Sequence, residues 1–210
     1  MIKLINFPFC NFHSLVRYFK VRNHSFEIYE NPIPLKSNDI LFIPGVGTFG
    51  LGMEYIESRK LRDPIIEHAL KGGKIIGICL GMQLLLNSSE ESLDITGLGI
   101  IKGKCKKLNA NKYFSVPHIG WNTLKVNNNR SNTLLNLSNN FKGNLPDFYF
   151  VHSYHCVPKD ISLTSSFIQN SQISFSASIE KNNIQGYQFH PEKSGKIGYI
   201  LLDQAIKQKQ

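Results

Sequence analysis

The chain has no apolar run near the roughly 20 residues needed to cross a bilayer, which excludes a helical membrane span. Its N-terminus, MIKLINFPFC, carries one lysine and lacks a small-residue cleavage site, so it reads as a first strand and not as a secretory leader. Cysteine is scarce: Cys10, Cys79, Cys105 and Cys156 form neither a CxxC pair nor a zinc pattern. This argues against a disulfide framework or a structural metal and suits a reducing cytosol. There is no internal repeat and no low-complexity linker. Acidic residues are outnumbered, 15 to 24, giving a formal charge of +9. Yet the lysines are dispersed. Their one short cluster, Lys102, Lys104, Lys106 and Lys107, has no interleaved aromatics to stack bases, so it reads as a solvated face between strands.

What is present is organised around residues 73–86, GKIIGICLGMQLLL. A short apolar strand runs into a sharp turn at Cys79 between Gly77 and Gly81, and an amphipathic helix follows to about Asn87. This is the pattern of a nucleophile elbow. It holds a thiol above the carboxyl end of a sheet, where a helix N-terminus favours the thiolate. By itself, a cysteine after an apolar strand is also compatible with a small buried hydrophobe. At the far end of the chain, Gln188-Phe189-His190-Pro191-Glu192-Lys193-Ser194 adds a histidine and a carboxylate after another apolar strand. Cysteine, histidine and carboxylate are the parts of an activated thiol nucleophile.

Taken in order, strands are expected at Ile2 to Asn6, Ser25 to Tyr29 and Ile40 to Ile43, with a helix between the first two whose stripe is Phe12, Leu15, Val16 and Phe19. Pro44-Gly45-Val46-Gly47 is a glycine-rich turn after a strand. Its N–H groups suit a phosphate, an oxyanion hole or an ordinary turn, and it lacks the lysine-serine ending of a nucleotide loop. Leu51 to Leu70 reads as helix broken near Asp63-Pro64, and Ser88 to Asp94 as a polar loop. The second half is strand-rich: short apolar runs at Gly99 to Ile101, Phe114 to Val116 and Thr123 to Val126, then strands at Phe148 to His152, Tyr154 to Val157, Ile173 to Ile179 and Ile184 to Phe189. A helix from Gly198 to Lys207 closes the chain. The expected fold is α/β: a mostly parallel central sheet flanked by helices, with an antiparallel section in the second half, in one domain over 1–210.

GICLGMQLL around Cys79, PGVG at 44–47 and HPEKS at 190–194 together resemble the class I (triad) glutamine amidotransferases, across essentially the whole chain and with the flavodoxin-like three-layer fold of that class. PHIGWN at 117–122 and YFVHSY at 149–154 narrow the resemblance to the glutaminase subunit of imidazole glycerol phosphate synthase, an enzyme of histidine biosynthesis. The resemblance implies that Cys79 attacks the side-chain amide of glutamine and that His190, oriented by Glu192, moves the proton. It implies an oxyanion hole at Val46, Gly47 and Leu80, for which one peptide of the turn must reorient. Gln83, Glu91, Ser153 and Tyr154 match positions that hold glutamine. Asn11, Trp121, Asn122, Tyr149 and Lys193 match a face toward a (β/α)₈-barrel cyclase, which receives the ammonia and makes imidazole glycerol phosphate and aminoimidazole carboxamide ribotide.

No cofactor, metal, nucleic acid or membrane is expected, and a cytoplasmic heterodimer is. His118 and His152 otherwise read as satisfied structural histidines, and His13, His24, His68 and His155 as surface or packing residues. One departure stands out: the turn after the first strand, Phe7-Pro8-Phe9-Cys10-Asn11, keeps its asparagine but has no glycine. That leaves open a paralogue feeding ammonia to a different synthase, such as one amidinating a surface-polysaccharide sugar. A noncatalytic regulatory protein on the same fold is the alternative outside the enzymes.

Overall fold

The computed structural model describes residues 1–10, 12–112, 114–128, 132–142, 145–169 and 174–208. In chain order its elements are β1 (Ile2–Leu4), α1 (His13–Val21), β2 (Phe26–Ile28), β3 (Ile40–Ile43), α2 (Phe49–Ser58), α3 (Arg62–Leu70), β4 (Lys74–Ile78), α4 (Leu80–Leu84), β5 (Ser88–Ser89), β6 (Ser92–Thr96) and β7 (Gly103–Lys107). There follow β8 (His118–Asn122), β9 (Lys125–Val126), α5 (Thr133–Asn139), β10 (Phe148–His152), β11 (Tyr154–Pro158), β12 (Thr164–Gln169), β13 (Ser174–Lys181), β14 (Ile184–Tyr187) and α6 (Gly195–Lys207).

The main sheet has the order β2-β1-β3-β4-β14-β13-β12-β9. Its first five strands are mutually parallel and its last three pairings are antiparallel. The expected architecture is therefore found, and the last strand has a particular place in it. β14 leaves the antiparallel half and pairs in parallel with β4, in the register Ile184↔Ile75 to Tyr187↔Ile78. Residues just past these two strands therefore emerge at the same end of the sheet, where open α/β folds place their sites.

Side chains alternate across each strand, so the sheet separates two cores. Ile2, Leu4, Phe42, Ile76 and Ile78 face α1, α5 and α6, while Leu41, Ile43 and Ile75 face α2, α3 and α4. Full burial of such a side chain contributes about 1.5–3 kcal/mol. The α1 stripe predicted from sequence is the buried one, with Leu15 and Phe19 inside and Phe12 and Val16 packed beside them. A ribbon of β8 and β10 lies on the first core, with Phe148 and Phe150 inward. A second small sheet, β11-β7-β5-β6, closes the other with Cys105 and Cys156.

Several elements differ from the sequence reading. The supposed polar loop 88–94 is part of a hairpin, β5–β6. The lysine cluster lies on and beside β7, with exposed lysines alternating around buried Cys105. The helix after Cys79 ends at Leu84, short of Asn87. The long helical stretch breaks at 59–61, earlier than Pro64, which sits in the first turn of α3 where its missing N–H costs nothing. The run Gly99 to Ile101 is not a strand, and Ile173 lies outside the described residues. Strands β7 and β8 were not anticipated as strands, and neither α5 nor β12 was anticipated. Asn132 caps α5 by accepting from the Leu135 N–H. β12 hides its pattern because its buried face is hydroxylic: Thr164 pairs with Ser176 at 2.9 Å and Ser166 with Ser178 at 2.6 Å.

The elbow glycines have a packing reason. A Cβ on Gly81 would lie 1.7 Å from the Ile43 carbonyl oxygen, and one on Gly77 would lie 2.7 Å from the Gly81 backbone. Helix α4 thus crosses β3 and β4 at a distance only glycine permits. Gly81→Ala should cost about 3 kcal/mol, the upper range for overpacking, read as a lower urea midpoint at unchanged slope. An unchanged midpoint would contradict this close approach.

Candidate active site

Cys79 is the residue between β4 and α4, at φ 51° and ψ −103°. Such a conformation costs a non-glycine residue about 1–3 kcal/mol and persists only when its surroundings fix it. Here the Cys79 N–H donates to the Tyr187 carbonyl at 2.7 Å, and the Cys79 carbonyl accepts from the Gln83 N–H at 3.2 Å. The neighbouring strand β14 therefore helps to hold the elbow. With only five residues in α4, the dipole at its N-terminus is smaller than the sequence reading assumed. One side chain and one backbone group supply the polar surroundings: Gln188 Nε2 donates to the Cys79 sulfur at 3.6 Å, and the Val151 carbonyl accepts from the thiol at 3.7 Å.

His190 and Glu192 follow β14. His190 Nδ1 is 2.7 Å from Glu192 Oε1, and both side chains are almost fully buried. His190 Nε2 has no conventional hydrogen-bond partner among the described residues, and it faces the Cys79 thiol, whose interaction raises the imidazole pKa. Burial opposes the charged ring, but Cys79 and Glu192 outweigh it, and the pKa rises to about 10. The imidazolium is accordingly the stable form at neutral pH, with a carboxylate on one nitrogen and the sulfur at the other.

A cavity of about 230 Å³ opens over the sulfur. Cys79, Leu80, Val46, Gly47, Gln83, Glu91, Ser153 and Tyr154 all line it, with His152 and Pro117. All the residues assigned from sequence to the nucleophile, the oxyanion hole and glutamine binding that border a cavity thus share this one. Glu91 is held by the Phe49 N–H at the start of α2, at 2.7 Å, and Gln83 donates to the Tyr154 carbonyl at 2.9 Å. Of the residues assigned from sequence to an oxyanion hole, Leu80 has its N–H engaged, donating to the Gly45 carbonyl at 3.2 Å. Among the described residues no His, Cys, Asp and Glu cluster is arranged to hold a metal. All four cysteines are free and buried.

Of the residues assigned to a partner face, Trp121 is 55% exposed and Lys193 is exposed, while Asn122 and Tyr149 are half-buried. Trp121 and Tyr149 meet edge to face, their ring centroids 5.7 Å apart. Asn11 lies outside the described residues. Sequence reasoning missed Gln188 as a contact of the sulfur. Its one signal was nearness in sequence, two residues before His190, and the bend at 188–189 hides which way it points.

A buried thiol on a strand-to-helix elbow, with a histidine–carboxylate pair delivered by the neighbouring parallel strand, is an arrangement suited to an α/β enzyme of the thiol-nucleophile class. The family profile described as glutamine amidotransferase class-I matches residues 4–206, and the chain belongs to that family. Among its relatives, the protein called imidazole glycerol phosphate synthase subunit HisH of Synechococcus elongatus is 33% identical over 207 residues, covering 99% of this chain and 93% of that one. Its counterpart in Pyrococcus furiosus is 42% identical over 175 residues, covering 83% and 84%. The fold is shared with a chain of the Thermotoga maritima PurLQS structure at a TM-score of 0.71 and 18% identity, covering 98% and 96%.

The pair of charges around His190 gives a prediction with a definite sign. Glu192→Gln should lower the His190 pKa, seen in a ring-proton NMR titration. A histidine pKa raised on folding contributes stability that is complete below about 6.5, the unfolded value, and is lost as pH rises through about 10. The unfolding free energy of wild type relative to His190→Gln should therefore decline across that window. A difference flat in pH would contradict the ion-paired imidazolium.

Proposed function

We propose that this chain is the glutaminase subunit of imidazole glycerol phosphate synthase: it hydrolyses glutamine to glutamate and ammonia and passes the ammonia to a synthase subunit. The observation that carries the reading is the parallel β4–β14 register, which brings the segment bearing His190 toward the Cys79 elbow, while Cys79 itself lines a cavity of about 230 Å³. Cys79 Sγ attacks the side-chain amide carbon. The bond to nitrogen breaks as His190 donates a proton to the departing ammonia, leaving a thioester on the sulfur. Water then attacks that carbonyl, its proton returns to His190, and glutamate and the thiol are regenerated. Glu192 holds the ring by its Nδ1 and stabilises the charge.

Charge that develops on the amide oxygen needs donors. Turning over the Gly45–Val46 peptide would release the Leu80 N–H from the Gly45 carbonyl and bring the Val46 N–H toward the sulfur. Each such donor is worth about 3–4 kcal/mol in the transition state. Gln83, Glu91, Ser153 and Tyr154 hold the rest of the glutamine.

Ammonia is mostly protonated in neutral water, and the protonated form is no nucleophile, so direct transfer to a partner subunit has a chemical reason. The partner is a (β/α)₈-barrel cyclase seated on a face that includes Trp121, Tyr149 and Lys193, with Asn122 and Asn11 assigned to it by their sequence positions alone. The pair works in the cytoplasm, and the chain acts as one domain. Among the described residues no helix is long and apolar enough to cross a membrane.

Cys79→Ala should abolish glutamine-dependent synthesis by the assembled pair and leave ammonia-dependent synthesis intact. Product formation with each nitrogen source reads this directly. Turnover with glutamine in that variant would remove Cys79 as the nucleophile. Co-purification from the native host identifies the synthase subunit and separates the histidine-pathway cyclase from a different ammonia acceptor.

A further inference from the structure

Strand β8 has two faces. Ile119 and Trp121 point to solvent, 59% and 55% exposed. His118 is on the other side and Asn122 is half-buried, four residues on with the same strand parity. Asn122 Nδ2 is 2.9 Å from His118 Nε2. His118 Nδ1 is 3.1 Å from Nε2 of His152, its directly opposite neighbour on β10. His152 Nδ1 is 2.9 Å from the Tyr154 carbonyl oxygen, which also accepts from Gln83 Nε2 at 2.9 Å. Gln83 Nε2 lies 3.3 Å from Gln188 Oε1, and Gln188 Nε2 lies 3.6 Å from Cys79 Sγ. An unbroken line of polar contacts thus joins the exposed strand to the nucleophile.

The direction of every link follows from one atom. The Tyr154 carbonyl can only accept, so His152 Nδ1 carries the proton. A neutral His152 then has a bare Nε2, which must accept from His118 Nδ1–H. A neutral His118 in turn has a bare Nε2, which must accept from the Asn122 amide nitrogen. On the other side, the same carbonyl fixes Gln83 with its nitrogen inward. That nitrogen requires the oxygen of Gln188, whose own nitrogen is left facing the sulfur. Burial keeps both rings neutral, lowering the His118 pKa and taking that of His152 down to about 3.

From this geometry we infer that Asn122, His118, His152, Gln83 and Gln188 form one hydrogen-bond chain of fixed polarity, with Gln188 as the donor that positions the Cys79 sulfur. The functional part rests on the reading of Cys79 as nucleophile. A substitution or contact that changes what Asn122 donates is felt along the chain through proton positions, without movement of the backbone. Trp121 is its neighbour on the exposed face, so a subunit covering that face would adjoin the start of the chain.

Two-bond ¹H–¹⁵N spectra of the full ¹⁵N-histidine-labelled chain test the polarity, with resonances assigned from His118→Gln and His152→Gln. Both rings should be in the Nδ1–H tautomer at neutral pH. A carboxylate cannot donate, so in Asn122→Asp the Nε2 of His118 should become protonated. An Nε2–H tautomer of either ring in the wild type, or a bare His118 Nε2 in Asn122→Asp, would overturn the chain. At its far end, Gln188→Met should slow iodoacetamide alkylation of Cys79 about tenfold, the loss of one hydrogen bond to a charged acceptor. An unchanged rate would remove Gln188 from that role. The tautomers are independent of glutamine turnover, so failure of the glutaminase reading would leave them as they are, and their failure would leave that reading standing.

Discussion

Four aligned residue pairs between β4 and β14 hold this molecule's chemistry together. Nothing local connects Cys79 to His190, which are separated by more than a hundred residues of chain. The backbone ladder brings them to one edge, and it continues past the strand into the elbow, where the Tyr187 carbonyl receives the Cys79 N–H. The same pairing that closes the sheet therefore also supports a strained backbone at the nucleophile. The antiparallel half of the fold, from β7 to β13, is an insertion between the two strands that must meet. It contributes the second wall of the cavity, through Ser153 and Tyr154, before the chain returns.

Electrostatics then follow from placement. His190 is nearly excluded from water, which would ordinarily leave it neutral. Its interactions with Cys79 and Glu192, one at each nitrogen, raise its pKa against that burial. On the proposed reading of Leu80 as an oxyanion donor, its N–H has still to be released, because the Gly45 carbonyl accepts from it at 3.2 Å.

Much of this was legible in the sequence, for reasons tied to particular residues. The Ile75 to Ile78 run, the flanking glycines and the terminal His190–Glu192 pair carry both their secondary structure and their chemistry on the surface of the text. So does Phe148 to His152, whose bounds as a strand agree with the structure. The remainder was hidden where polar residues do the packing. Thr164, Ser165 and Ser166 are buried because hydroxyls on β13 satisfy them, which no hydropathy pattern reveals. His118 and His152 read as satisfied structural histidines, and they are satisfied by each other, but the direction of their contact depends on a carbonyl known only from the fold. The short α4 was over-extended because Leu85 and Leu86 continue the apolar stripe although the chain has already turned toward β5.

The most direct test of the central claim is covalent labelling by a glutamine analogue that carries an electrophilic carbon in place of its amide, located by peptide mass spectrometry in the chain assembled with its partner. The account predicts a single adduct on Cys79, slowed by added glutamine and lost in His190→Ala. An adduct on Cys10, Cys105 or Cys156 instead, or labelling of Cys79 that neither glutamine nor His190 affects, would contradict it.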